Sequence, residues 1–112
     1  MTPASSATPA SASASSSLLT MTAVLVAAPG QGDRLREALR GLLAPTRQEP
    51  GCRDYRLFER IDEPGTFEMH EAFDDEAALE AHRATPHFRA FEAQAPTLLG
   101  APLRLVKLTA VG

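Results

Sequence analysis

The sequence has a single cysteine, Cys52, so no disulfide forms within one chain, and a reducing compartment such as the cytoplasm suits it. It has no block of basic residues. Its 11 Lys and Arg are mixed among 14 Asp and Glu, for a formal net charge of −3, which argues against the electrostatic footprint of a nucleic-acid binder. No stretch approaches the ~18 consecutive apolar residues of a membrane span, so no membrane partner is expected. No charged side chain precedes Asp33. The first twenty residues, MTPASSATPASASASSSLLT, therefore lack both the basic leading region of a secretory signal and the arginines of a transit peptide. Their Ala, Ser, Thr and Pro bury too little apolar surface to offset ordering entropy, so residues 1–20 are expected to form a disordered tail. The remainder, 21–112, has no internal repeat and fits one domain. A unit this small gains from association, and a homodimer is expected.

Hydrophobic periodicity then divides the domain. TAVLVAAP (22–29) is a short apolar run closed by Pro29 and Gly30, which reads as a buried strand. In GDRLREALRGLLAPTRQ (32–48), Leu35, Leu39, Leu42 and Leu43 recur at helical spacing opposite Arg34, Arg36, Glu37 and Arg40. Asp33 sits where a cap is expected, and Pro45 is expected to bend or end the helix. CRDYRLFERID (52–62) alternates Tyr55, Leu57, Glu59 and Ile61 against Asp54, Arg56, Phe58 and Arg60. TFEMHEAF (66–73) alternates Phe67, Met69, Glu71 and Phe73 against Glu68, His70 and Ala72, and the DEPG between these runs predicts a hairpin. DDEAALEAHRA (74–84) opens with acids, as a helix does. Thr85 is placed to cap a further helix with Pro86 in its first turn, running to Leu98 despite Pro96. LRLVKLTAV (103–111) closes the chain as a strand. The order β-α-β-β-α-α-β with right-handed crossovers predicts an α+β, ferredoxin-like antiparallel sheet with helices on one face. A second copy would cover the other face.

AHRATPHFRAF (81–91) carries two histidines five positions apart. His82 falls on the inward helix face near a C-terminus, where the dipole favours imidazolium. His87 falls in a first turn, where it favours neutral imidazole. Such a pair suits an acid and a base; the plainer reading makes them helix-end residues. Glu71 puts a carboxylate on an otherwise apolar strand face, either as a base or orienting group or in an ion pair with Arg56 or Arg60. Tyr55 is a candidate donor to an oxyanion, or a core tyrosine. Leu57, Met69, Phe73, Leu79 and Phe88 are expected to line a pocket, and Arg89 to hold an anionic group. His70 points away from Glu71. Cys52, after Pro50-Gly51, reads as a structural thiol. No metal site is expected, because His82 and His87 lack helical i, i+4 geometry and no Cys/His cluster completes a site.

The stretch EPGCRDYRLFERIDEPGTFEMHEAFDDEAALEAHRATPHFRAF resembles the antibiotic biosynthesis monooxygenase (ABM) superfamily, in its quinol-monooxygenase and autoinducer-2-phosphate-processing branch. The likeness spans about residues 21–110. It is carried by Glu49-Pro50-Gly51-Cys52 with Tyr55, by Glu71-Ala72-Phe73 and the acidic turn after it, and by Ala77, Leu79, His82 and Thr85-Pro86-His87-Phe88. The resemblance implies a dimeric α/β-barrel with a pocket between sheet and helices in each subunit. It also implies oxygenation of quinol-like or other electron-rich aromatics by O₂ with no cofactor. Two alternatives are an isomerase or lyase for a small phosphorylated or enolisable metabolite, and a non-catalytic ligand-binding dimer. Phe73 stands where the family commonly has Trp or Tyr. Met69 and Leu79 replace the Asn and Tyr of the anthrone-oxidising branch, which argues against anthrones. Ala23 and Glu92 replace the Asn and His of the haem-degrading relatives, which argues against haem.

Overall fold

The computed structural model describes residues 18–112. Residues 1–17, most of the expected tail, lie outside the described residues. The elements are β1 (Leu19–Val26), α1 (Gly32–Arg47), β2 (Cys52–Glu59), β3 (Thr66–Phe73), α2 (Glu76–Arg83), α3 (Pro86–Leu98) and β4 (Arg104–Leu108). The sheet order is β2-β3-β1-β4, and each neighbouring pair is antiparallel. This is the ferredoxin-like α+β sheet expected from the sequence, with the helices on one face.

Alternation decides which side chains that face receives. Met21, Ala23 and Leu25 of β1 pair with Glu71, Met69 and Phe67 of β3, and Tyr55 pairs with Glu71 from the other side. All of these are buried. Leu35, Leu39 and Leu42 of α1 complete the core with Leu79, Phe91 and Leu98. The opposite face carries Val26, Phe58 and Leu108, all exposed in the single chain. Among the described residues, no helix is long and apolar enough to cross a membrane.

Several boundaries differ from expectation for physical reasons. β1 starts at Leu19, inside the stretch assigned to the tail and three residues before the expected 22, because Leu19 and Thr20 find ladder partners in Phe73 and Ala72. Asp33 does not cap α1; Gln31 precedes the helix without a side-chain cap, and Asp33 instead accepts from Arg36 at 2.7 Å. Pro45 does not end α1. The carbonyl it leaves without a donor, four residues back at Gly41, lies on the exposed side, where it is not cut off from solvent. β2 stops at Glu59, so Ile61 is fully exposed in the turn and does not continue the inner face. Glu59 accepts both the Gly65 N–H (2.9 Å) and the Arg36 guanidinium (2.9 Å), tying that hairpin to α1. β4 is shorter than 103–111.

Two caps and a close-packed turn fix where α2 and α3 sit. Asp75 caps α2 by accepting from the Ala78 N–H at 2.9 Å, and Thr85 caps α3 by accepting from the Phe88 N–H at 3.2 Å. The Thr85 hydroxyl also donates to the His82 carbonyl at 2.7 Å, so the chain reverses tightly between the two helices. The turn at 49–51 packs against α2 so closely that a Cβ on Gly51 would lie 2.5 Å from the Ala78 Cβ. Gly51→Ala is therefore expected to lift this turn off α2 at a cost of about 1–3 kcal/mol. The measurement is the urea midpoint at unchanged m-value; a variant as stable as its parent would show that the turn yields freely.

Candidate active site

Between the inner sheet face and the helices lies a cavity of about 50 Å³. Its floor is Tyr55, Met69 and Glu71 from the sheet, and its walls include Leu79, His82 and Phe88. Six of the expected residues thus meet at one hollow. Four do not reach it. Phe73 is fully buried behind His82, its ring centroid 5.1 Å from the imidazole, so it backs the histidine without touching the space in front of it. Leu57 sits on the edge strand β2 beside Met69, half-buried and off the cavity. Arg89 is exposed, because one residue after the inward Phe88 the helix has turned about 100°. The cation at the hollow is instead Arg83. His87 lies behind the wall, where it meets an acid that periodicity did not single out.

That acid is Glu49. It lies just past α1, in the turn closed by Pro50 and Gly51, with its amide donating to the Thr46 carbonyl at 3.0 Å. One carboxylate oxygen, Oε2, lies 2.9 Å from His82 Nδ1 and 2.6 Å from His87 Nε2. The Thr85 reversal between α2 and α3 folds the five-residue spacing back on itself, leaving the two rings 6.1 Å apart. The break that argued against a cluster is what creates one: Glu49, His82 and His87 each offer a ligand atom, all within 4.8 Å of one another. Glu49 was visible only as the first residue of the EPGC motif.

A carboxylate accepts hydrogen bonds, so each nitrogen facing Glu49 carries a proton. A neutral His82 is then the Nδ1–H tautomer, with its lone pair on Nε2, the ring atom left for the cavity that His82 lines. The ring is wedged among Tyr55, Phe73 and Phe88 at centroid distances of 5.6, 5.1 and 4.9 Å. It is held on one edge and packed on its sides, which fixes its orientation.

Glu71 forms neither of the expected ion pairs. Arg56 alternates to the opposite sheet face and pairs with Asp54 at 3.0 Å, while Arg60, past the end of β2, pairs with Glu68 at 2.9 Å and Glu63 at 2.6 Å. Burial accordingly pushes the Glu71 carboxyl up to about 7, the nearby Glu49 charge adding to the rise and the Arg83 cation opposing it. Burial, followed by the charge of Glu71, also drives the Tyr55 phenol well above its ordinary value, so it remains an O–H donor. The Cys52 thiol is raised by burial and then by Glu49, which suits a structural thiol. His70 points to the opposite face, as expected, bonded to Glu68 at 2.9 Å and stacked on Phe58.

The profile of the antibiotic biosynthesis monooxygenase family matches residues 18–94. The chain is 34% identical over 90 residues to a Bacillus subtilis protein named "Putative monooxygenase YcnE", covering 80% of this chain and 95% of that one. It is 36% identical over 80 residues to "Putative monooxygenase Rv0793" of Mycobacterium tuberculosis, covering 71% and 78%. Among solved structures, PA3566 from Pseudomonas aeruginosa superposes with a TM-score of 0.82 at 37% identity, over 87% of this chain and 97% of that one. The Rv0793 structure superposes with a TM-score of 0.80 at 32% identity, over 86% and 97%.

The raised Glu71 carboxyl makes stability depend on pH. Below about pH 4.5 it is protonated in folded and unfolded chains alike, and the stability it contributes is fully present. As pH rises toward about 7 the unfolded chain ionises first, so that contribution is lost until the folded carboxyl ionises too. Relative to Glu71→Gln, the native chain should lose about 3 kcal/mol between those limits. Urea unfolding of both proteins at pH 4.5 and pH 8 measures this difference; a gap that stays constant with pH would contradict the buried acid.

Proposed function

The chain belongs to the antibiotic biosynthesis monooxygenase family, and on that footing we propose that it is a monooxygenase that oxidises a small, quinol-like or otherwise electron-rich aromatic with O₂, using no cofactor. The observation that carries this reading is one imidazole with a carboxylate behind it and an apolar hollow in front. His82 Nε2 accepts the acidic proton of the substrate, and Glu49 at Nδ1 holds the ring in the accepting tautomer and stabilises the imidazolium that results. Tyr55 and protonated Glu71, both facing the cavity, are the donors for the substrate anion. The anion passes one electron to O₂, and recombination of the radical pair forms a carbon–oxygen bond. His82 returns its proton to the peroxide. Loss of the neighbouring C–H proton, with departure of the outer oxygen as water, leaves a new carbonyl. One oxygen atom is retained and one becomes water, so no outside reductant is consumed.

The cavity, about 50 Å³, has room for a few water-sized molecules. An aromatic ring enters by displacing the rim, where Leu103 is partly exposed and Arg83 carries its charge. A second copy covers the exposed Val26, Phe58 and Leu108 on the far sheet face, making the working unit a homodimer. A lone, half-buried thiol fits a reducing cytoplasm.

Arg83 at the rim also favours a second reading, in which it binds the phosphate of a small keto sugar while His82 moves a proton through an enediol. Oxygen separates the two. With a panel of quinols in an oxygen electrode, substrate loss should match O₂ uptake and cease under nitrogen, whereas the isomerase would exchange solvent deuterium into its substrate regardless of O₂. His82→Ala is expected to lower kcat by about 10²–10⁴ without loss of helical content. Oxygen uptake that survives this substitution unchanged would remove His82 as the base.

A further inference from the structure

The geometry points to a site for one divalent transition-metal cation, such as zinc, at Glu49, His82 and His87. Two imidazole nitrogens and one carboxylate oxygen are a donor set of borderline softness, suited to zinc, cobalt, nickel or copper; magnesium and calcium favour all-oxygen shells. The spacing is close to what such an ion needs. Two donors about 2.0–2.1 Å from a common tetrahedral metal lie about 3.3 Å apart. Glu49 Oε2 lies 2.9 Å from His82 Nδ1 and 2.6 Å from His87 Nε2, and all the ligand atoms fall within 4.8 Å. Widening the two Glu49 contacts by about 0.4 and 0.7 Å, and drawing in the most widely spaced donors, which lie up to 4.8 Å apart, by up to about 1.5 Å, admits the cation.

The three ligands come from three separately anchored pieces of backbone, so the set is largely assembled before an ion arrives. The turn of Glu49 is pinned at both ends, its amide to Thr46 and its carbonyl by the Cys52 N–H at 3.1 Å. His82 is held among three aromatic rings. His87 is set by the Thr85 cap. Access also fits. The His82 side chain is 3% exposed, but Glu49 and His87 are 12% and 22% exposed, so solvent reaches the cluster from the His87 side and supplies a fourth ligand there. The cluster lies behind His82, on the side away from the cavity, and the inference does not depend on the oxygenase reading: its test reads metal, not turnover.

The test uses the untagged full chain, freed of metal by a chelator and then dialysed against zinc or cobalt alone, with bound metal measured by elemental analysis. One ion per chain is expected, with the intense visible bands of four-coordinate cobalt and an upward shift in Tm on adding zinc. His87→Ala, at a partly exposed position, and the shape-preserving Glu49→Gln should each weaken binding by about 100-fold or more. His70→Ala and Cys52→Ala should leave it unchanged, since neither residue is in the cluster. Absence of stoichiometric binding to the native chain at tens of micromolar metal, about the weakest affinity such a built site should have, would overturn the proposal. So would binding that persists in both His87→Ala and Glu49→Gln.

Discussion

The carboxylate of Glu49, bonded to two imidazoles at once, is the interaction on which the rest of the site depends. A carboxylate withdrawn from water is costly unless donors replace its hydration. Here two N–H groups do so at 2.6 and 2.9 Å, at or below the short end of ordinary N–H···O bonds, as a charged acceptor favours. Each requirement of this bridge is met by a different local rule. Gly51 lets the acid's turn lie against Ala78, Thr85 reverses the chain between α2 and α3, and the inward face of α2 delivers His82. None of these has a catalytic role by itself; together they place a proton-bearing cluster beside an apolar hollow.

Glu71 stands in contrast. It is also buried, yet its register places it among Tyr55, Met21 and the apolar core, and both Arg56 and Arg60 pair with other acids. Its carboxyl is accordingly driven toward the neutral form, up to about 7. The same protein thus holds one acid by hydrogen bonds to imidazole and raises another by burial. An acid kept protonated near neutrality donates a hydrogen bond, which is the property that a developing oxyanion requires.

The periodicities of the sequence were enough to read the architecture, because strands with period two and helices with period 3.6 write their buried faces directly into residue order. Tyr55, Met69, Glu71, Leu79, His82 and Phe88 were legible for that reason, and all six reach the cavity. Glu49 was not, because it belongs to no periodic element: it lies after the last turn of α1 and before a Pro-Gly turn, where no rule assigns a direction to the side chain. The five-residue gap between His82 and His87 misled for a related reason. Helical spacing predicts neighbours along one continuous axis, whereas the Thr85 cap ends one axis and starts another. Arg89 failed through angle, and Arg83 took its place because the end of α2 abuts the hollow while the exposed side of α3 does not. The pairing of Glu71 with Arg56 fails by the alternation that turned Glu71 inward, since β2 sends Arg56 outward from the residue after Tyr55.

One ring connects the two roles assigned to this cluster, and it cannot serve both at once. Neutral imidazole has one proton and one lone pair. With Nδ1–H donated to Glu49, the lone pair faces the cavity and the ring accepts a proton from whatever lies there. With Nδ1 ligated to a cation, the proton must reside on Nε2, and the same cavity meets a donor instead. Metal on the far side of His82 therefore changes the chemistry on the near side without altering a single lining residue. Glu49 stands at the point of choice, because its oxygen is the acceptor for the first tautomer and would be a ligand of the cation in the second. Whether His82 presents a lone pair or a proton to the cavity is thus set less by the ring than by what occupies the carboxylate behind it.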